Sequence, residues 1–135
     1  MTIHVRLAAT LLAGALLAAG SLAGAQATGE GAKFYAEYRA AFAKAKAIED
    51  VVPYLSKARV EMVNKTPKED RAKMFEIMKA LDVKDVKVLK ESKTDTGYVL
   101  EAVGKGGMGL GDAKGTINIV REGGKLKVDK ESWKQ

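Results

Sequence analysis

The apolar residues of this chain change period at Val83, and that change decides the fold class. Before it they recur every three to four residues, as on one face of a helix; after it they recur every second residue, as on one side of a strand. Phe34, Tyr38, Ala41, Phe42 and Ala45 form one helical stripe over about 32–47, widened by Tyr35. A second helix is expected from Asp50, which can cap Val51-Val52-Pro53, with Val52, Leu55, Ala58 or Arg59, and Met62 facing inward. Thr66-Pro67-Lys68-Glu69 reads as a capping box: Thr66 is the N-cap, Pro67 the first helical residue, and Glu69 reaches back. Met74, Ile77, Met78 and Leu81 then mark the buried face of a third helix.

Strands are expected at about 84–93, 98–103, 113–122 and from 125 to 131 or beyond. Thr94-Asp95-Thr96-Gly97 and Gly123-Gly124 are tight turns, and a glycine-rich connection runs from Gly104 to Gly111. Val86 and Val88, Tyr98, Leu100 and Ala102, Ile117 and Ile119, and Leu126 and Val128 fall on one side by strict alternation. The expected class is therefore α+β: three N-terminal helices packed on one face of a four-stranded antiparallel meander. Strict alternation gives that face only Val, Ile, Leu, Ala and Tyr98, a lining without an acid–base pair.

The first 27 residues are of another kind. A short start ending in Arg6, an uncharged Ala-, Leu- and Gly-rich run to Gly24, and the small-residue site Ala25-Gln26-Ala27 read as a cleavable secretory signal. The domain reading is thus 1–27 signal peptide and 28–135 one helix-then-sheet domain, periplasmic or secreted, with no membrane anchor after cleavage at Ala25 or Ala27. With no cysteine in the 135 residues, neither a disulfide nor a lipid-bearing cysteine is available to it.

Composition narrows the chemistry further. The single histidine is His4, within the signal, so zinc and copper lack their usual ligands and no Ser-His-Asp or Cys-His constellation can form. No metal and no cofactor is expected. Gly104-Lys105-Gly106-Gly107-Met108-Gly109 matches G-x-G-x-x-G, yet a strand follows it instead of a helix, so it reads as a hairpin loop. Glu101, flanked by Val99 and Val103, is the one strand carboxylate in apolar company and the candidate general base, but alternation puts it on the outer side. The chain is basic, with 23 Lys and Arg against 17 Asp and Glu. Lysines interleave with acids, and Lys84, Lys87, Lys90 and Lys93 recur every three residues, which on an ideal strand distributes them over both faces. That is the pattern of a solvated surface, and no nucleic-acid partner is expected from it.

Three helices followed by a meander, closed by REGGKLKVDKESW, resemble small exported bacterial members of the nuclear-transport-factor-two-like superfamily. The resemblance rests on Gly123-Gly124, Leu126-Lys127-Val128 and Trp133. It implies a cone-like sheet curved over the helices, in some members a small-molecule pocket, and frequent dimerisation; it fixes no function. The expectation is a non-catalytic binding or interaction domain of unspecified role. An alternative is an apolar-ligand binder with Tyr38 and Tyr98 orienting the ligand, and a weaker one a carboxylate-based isomerase- or dehydratase-like enzyme. Leu89, Val99, Val103 and Val120, apolar on the outer sheet face, are the candidate homodimer face.

Overall fold

The computed structural model describes residues 27–135; the signal-peptide reading of residues 1–26 lies outside the described residues. Helices α1 (Glu30–Lys44), α2 (Lys57–Lys65) and α3 (Lys68–Leu81) precede strands β1 (Lys84–Lys93), β2 (Gly97–Gly106), β3 (Gly111–Glu122) and β4 (Lys125–Lys134). The strands pair antiparallel in the order β1-β2-β3-β4, so the expected α+β meander is what forms. Gly123 and Gly124, at φ +58° and +78°, make the two-residue turn between β3 and β4, a conformation that L side chains resist.

The helices cover one side of the sheet. Ala32, Tyr35, Tyr38, Phe42 and Ala45 of the first helical stretch are buried against Leu100, Ile117, Ile119 and Val128. Phe42 meets Phe75 of α3 edge-on, with ring centroids 5.6 Å apart. Lys79 Nζ donates to the Phe42 and Ala43 carbonyl oxygens at 2.6 and 3.0 Å, capping the C-terminal end of α1 where a cation is favoured.

Three local expectations are corrected. The segment after Asp50 is not a continuous helix: two short 3₁₀ turns, Ile48–Asp50 and Val52–Tyr54, precede α2, and Leu55 pairs as an extended residue with Val128. Asp50 caps its own turn, accepting from the Lys46 and Ala47 N–H groups at 2.9 and 3.2 Å, while Ser56 Oγ caps α2 by accepting from Arg59 N–H at 3.3 Å. Thr66 does not cap α3. Its hydroxyl donates back to the Met62 carbonyl at 3.3 Å, ending α2, and α3 opens after Pro67 without a side-chain cap. Accordingly Thr66→Ala is expected to cost only about 0.5 kcal/mol and Ser56→Ala about 1 kcal/mol, read from denaturation midpoints.

The buried face of α3 is also shifted. Phe75 is its fully buried residue, whereas Ile77 and Leu81 are 52% and 49% exposed, and Met62 of α2 is 69% exposed. Docking on Phe42 selects the large aromatic ring over the aliphatic stripe one position away.

Candidate binding surface

Two inserted residues in the sheet decide where its charges go. In β1, Val88 faces Ala102 but Lys90 faces Glu101, so Leu89 is an extra residue; in β4, Val128 faces Ile119 but Lys130 faces Asn118, so Asp129 is extra. Each is a β-bulge, and each reverses the inside–outside alternation of the residues after it. The consequence is the same in both strands. Lys90 and Lys130 turn to solvent, while Glu91 and Glu131 turn toward the helices.

Glu131 becomes the hub of a polar cluster under α1. It accepts from Tyr35 Oη at 2.8 Å, Tyr38 Oη at 3.1 Å and Arg59 Nη1 at 3.0 Å, with only 15% of its side chain exposed. Glu91 accepts the Ala32 N–H at 2.6 Å, supplying from the sheet the N-terminal cap that Gly29 lacks the side chain to give. Gly29 and Gly31 leave room for it: a Cβ at either position would lie within 3 Å of the Glu91 carboxylate. The purely apolar lining expected for this face is thus corrected, because alternation without the bulges places both carboxylates outside.

Burial, reinforced by the Glu131 charge, holds the Tyr35 and Tyr38 hydroxyls well above their ordinary pKa of 10.0. A proton bound more tightly in the fold than in the unfolded chain stabilises the fold below that ordinary value. This contribution is lost as the pH rises above about 10. In an alkaline titration, Tyr35 and Tyr38 are therefore expected to show tyrosinate absorbance only together with the loss of far-ultraviolet circular dichroism. Complete ionisation of all four tyrosines in a folded protein would contradict the cluster.

The candidate residues fall in three separate places. Tyr38 is in the Glu131 cluster beneath the middle of α1, whereas Tyr98 donates to Glu30 at 2.5 Å at the start of α1, beside Arg121, which pairs with Glu30 at 2.9 Å. Among the described residues, Tyr35, Val51, Leu100, Ile117, Ile119 and Val128 fill the space between helices and sheet, all with under 2% exposure. Leu89, Val99, Val103 and Val120 do share the outer face, with Glu101 exposed among them.

Outside the core, a groove of about 590 Å³ runs between α1 and β1, lined by Ala36, Ala40, Ala43, Val86 and Val88. Its one guanidinium, Arg39, is already held by Asp82 at 2.7 and 3.0 Å and by the Val83 carbonyl at 2.5 Å. A smaller hollow of about 370 Å³ lies on the outer face, lined by Leu89, Glu101, Lys114, Thr116, Ser132 and Lys134.

That outer face is strongly basic. The bulge at Leu89 and a second irregularity between Lys84 and Lys87, where Asp85 sits at φ +52°, bring Lys84, Lys87 and Lys90 to the same side. This corrects the expected distribution over both faces, which assumed an ideal strand. One cross-strand row reads Lys87, Val103, Lys114, Lys134, and the next row toward the β2–β3 hairpin sets Lys84 opposite Lys105. Among the described residues Lys84 is paired with Asp82 and Lys105 with Asp112, while Lys87, Lys90, Lys114, Lys130 and Lys134 make no ion pair.

No family model, no curated protein and no solved structure matches the chain.

Proposed function

We propose that this chain is an exported, non-catalytic binding domain that works through the outer face of its sheet. The observation that carries this reading is the sorting of charge by the two bulges. The carboxylates turned inward are engaged by α1 and α2, and Lys90 and Lys130, turned outward, make no ion pair among the described residues. A binding pocket for small molecules would need space and free polar groups inside, and the Tyr38 and Tyr98 hydroxyls are already donated to Glu131 and Glu30. Glu101, the candidate general base, stands exposed on the outer face, away from the space between helices and sheet. The element order keeps the nuclear-transport-factor-two-like resemblance as the accompanying proposal for ancestry.

Twofold pairing through Leu89, Val99, Val103 and Val120 would bring Lys114 and Lys134 toward the same lysines of a second copy. The charge on this face therefore favours an anionic partner over self-association.

A thermal-shift screen of apolar and aromatic small molecules tests the filled interior. The expected result is no shift, with Tyr98→Phe leaving that result unchanged. A ligand that raises the midpoint and loses affinity in Tyr38→Phe or Tyr98→Phe would establish the pocket reading instead. Export is tested separately by intact mass, for which a new N-terminus at Thr28 or Gln26 is expected and a retained Met1 in the exported fraction would refute processing.

A further inference from the structure

We propose that the end of the sheet bearing the β2–β3 hairpin docks on an anionic phospholipid surface, its apolar tip entering the headgroup layer and its lysines holding lipid phosphates. The proposal rests on the reading of the outer face as the working surface and names what that face meets.

The tip is apolar and exposed. Met108 and Leu110, in the turn after Gly106, are 77% and 52% exposed. Leu81 at the end of α3 lies beside them, since a Cβ at Gly107 would come within 3 Å of the Ala80 and Asp82 carbonyl oxygens and the Leu81 carbonyl carbon. Ile77, one turn earlier on α3, is exposed as well, at 52%. Met108 holds a left-handed backbone at φ +55°, ψ +29°, which a non-glycine residue adopts only at a cost, and it gains no burial in return. A thioether and an isobutyl group carried on a short turn are suited to entering the boundary between headgroups and acyl chains.

The lysines adjoin that tip. Lys114 faces Lys134 directly across β3 and β4, and Lys84 faces Lys105 across β1 and β2, both arrangements that destabilise a sheet in isolation. Asp82 and Asp112 neutralise Lys84 and Lys105; Asp85 and Glu101, the latter in the row of Thr116 and Ser132, are further carboxylates of this end, neither in an ion pair among the described residues. Lys87, Lys114 and Lys134 remain in one row, with the Thr116 and Ser132 hydroxyls in the next row beside the hollow. An array of phosphates above this row relieves the repulsion that the fold alone leaves in place.

The same chemistry argues against nucleic acid. Single strands are held by bases stacked on aromatic rings, and Tyr35, Tyr38, Tyr54 and Trp133 all pack with the helix-covered core, while Tyr98 bonds to Glu30 at the start of α1. A nucleic acid would also make no use of Met108 and Leu110.

Co-sedimentation of the processed chain with vesicles is the test. Binding is expected to vesicles of equal parts phosphatidylglycerol and phosphatidylcholine, none to phosphatidylcholine alone, and release is expected in roughly half-molar salt. Lys114→Glu with Lys134→Glu should weaken binding by about twentyfold or more, and Met108→Ser with Leu110→Ser by about tenfold, with circular dichroism unchanged because all four side chains are exposed. Absence of binding to the anionic vesicles at low salt overturns the proposal, as does binding unaffected by the lysine reversals. Binding to polyphosphate or duplex DNA as tight as to vesicles, and indifferent to Met108→Ser with Leu110→Ser, would assign the face to a soluble polyanion and also refute membrane docking. Absence of vesicle binding, or equal binding to a soluble polyanion, leaves the outer-face reading intact; that reading falls with a ligand found in the interior.

Discussion

Glu131→Ala is expected to destabilise the protein by roughly 3–5 kcal/mol, whereas Lys130→Ala, one residue away, should change it by less than about 0.5 kcal/mol. Removing the Glu131 carboxylate leaves the Arg59 guanidinium and the Tyr35 and Tyr38 hydroxyls without their acceptor beneath α1. The loss is chiefly the desolvation of those orphaned donors, which is why truncating one partner costs far more than the net worth of the pair. Glu131→Gln keeps the volume and one acceptor oxygen, so its loss should fall between the two. Lys130 is exposed, without an ion pair among the described residues, and its removal takes away no contact with the core. Urea denaturation of the three variants supplies the comparison. Equal midpoints for Glu131→Ala and Lys130→Ala, or the reverse order, would mean that β4 alternates without interruption and that Glu131 faces solvent.

Deletion of Ser132 is expected to have a larger effect than Glu131→Ala, whereas deletion of Asp129 should leave the fold standing. Asp129 is the inserted residue between the pairs Ile119–Val128 and Asn118–Lys130. Without it, Lys130 still follows Val128 opposite Asn118 and Glu131 still stands opposite Ile117, so regular alternation keeps each on its present face. Without Ser132, β4 has two registers open to it. In one, Glu131 keeps its place and Trp133 moves to the outer face opposite Thr116. Trp133, whose ring lies 2.6 Å from where a Gly115 Cβ would be, then vacates its place over β3. In the other, the insertion at Asp129 is consumed, Trp133 stays opposite Gly115, and Lys130 turns beneath α1 while Glu131 turns out. The buried donors of α1 and α2 then meet an ammonium group instead of a carboxylate. For a domain of this size the total stability is about 5–15 kcal/mol, and either loss is a large part of it. A Ser132 deletion that unfolds at the wild-type midpoint, or an Asp129 deletion without a cooperative transition, would show that the register of β4 is set elsewhere.

Much of the fold was legible because it depends on period and turn chemistry. The switch from helical to alternating apolar residues at Val83 located the sheet, β1 coincides with the expected 84–93, and Gly123-Gly124 announced the last hairpin by the positive φ it requires. The bulges were not legible in the same way, since an inserted residue carries no composition of its own. Their trace is a conflict: carried past Leu89 and Asp129, strict alternation points Lys90 and Lys130 into an apolar core. Both lysines are followed by a glutamate, and a core beneath two tyrosines can accept a carboxylate far more readily than an ammonium group. The face of α3 was legible only in part. Met74 and Met78 are half-buried and Met78 packs on the core, while Ile77 and Leu81 of the same stripe are exposed, because the partner ring of Phe42 selects Phe75. Thr66-Pro67-Lys68-Glu69 has the letters of a capping box, but the C-terminus of α2 claims the threonine hydroxyl first.

Lys90, Lys130 and Lys134 reach the outer face through the same two insertions that turn Glu91 and Glu131 toward the helices, so one measurement addresses both. Covalent footprinting of the folded chain, with a carbodiimide for carboxylates and an acylating reagent for amines, reads the orientation of Lys90-Glu91 and Lys130-Glu131 directly. Lys90, Lys130, Lys114, Lys134 and Glu101 are expected to react as exposed groups, while Glu131 stays protected until the protein unfolds and Glu91 is slowed. Modification of Glu131 as fast as Glu101 in the folded protein, with Lys130 protected, would contradict this orientation.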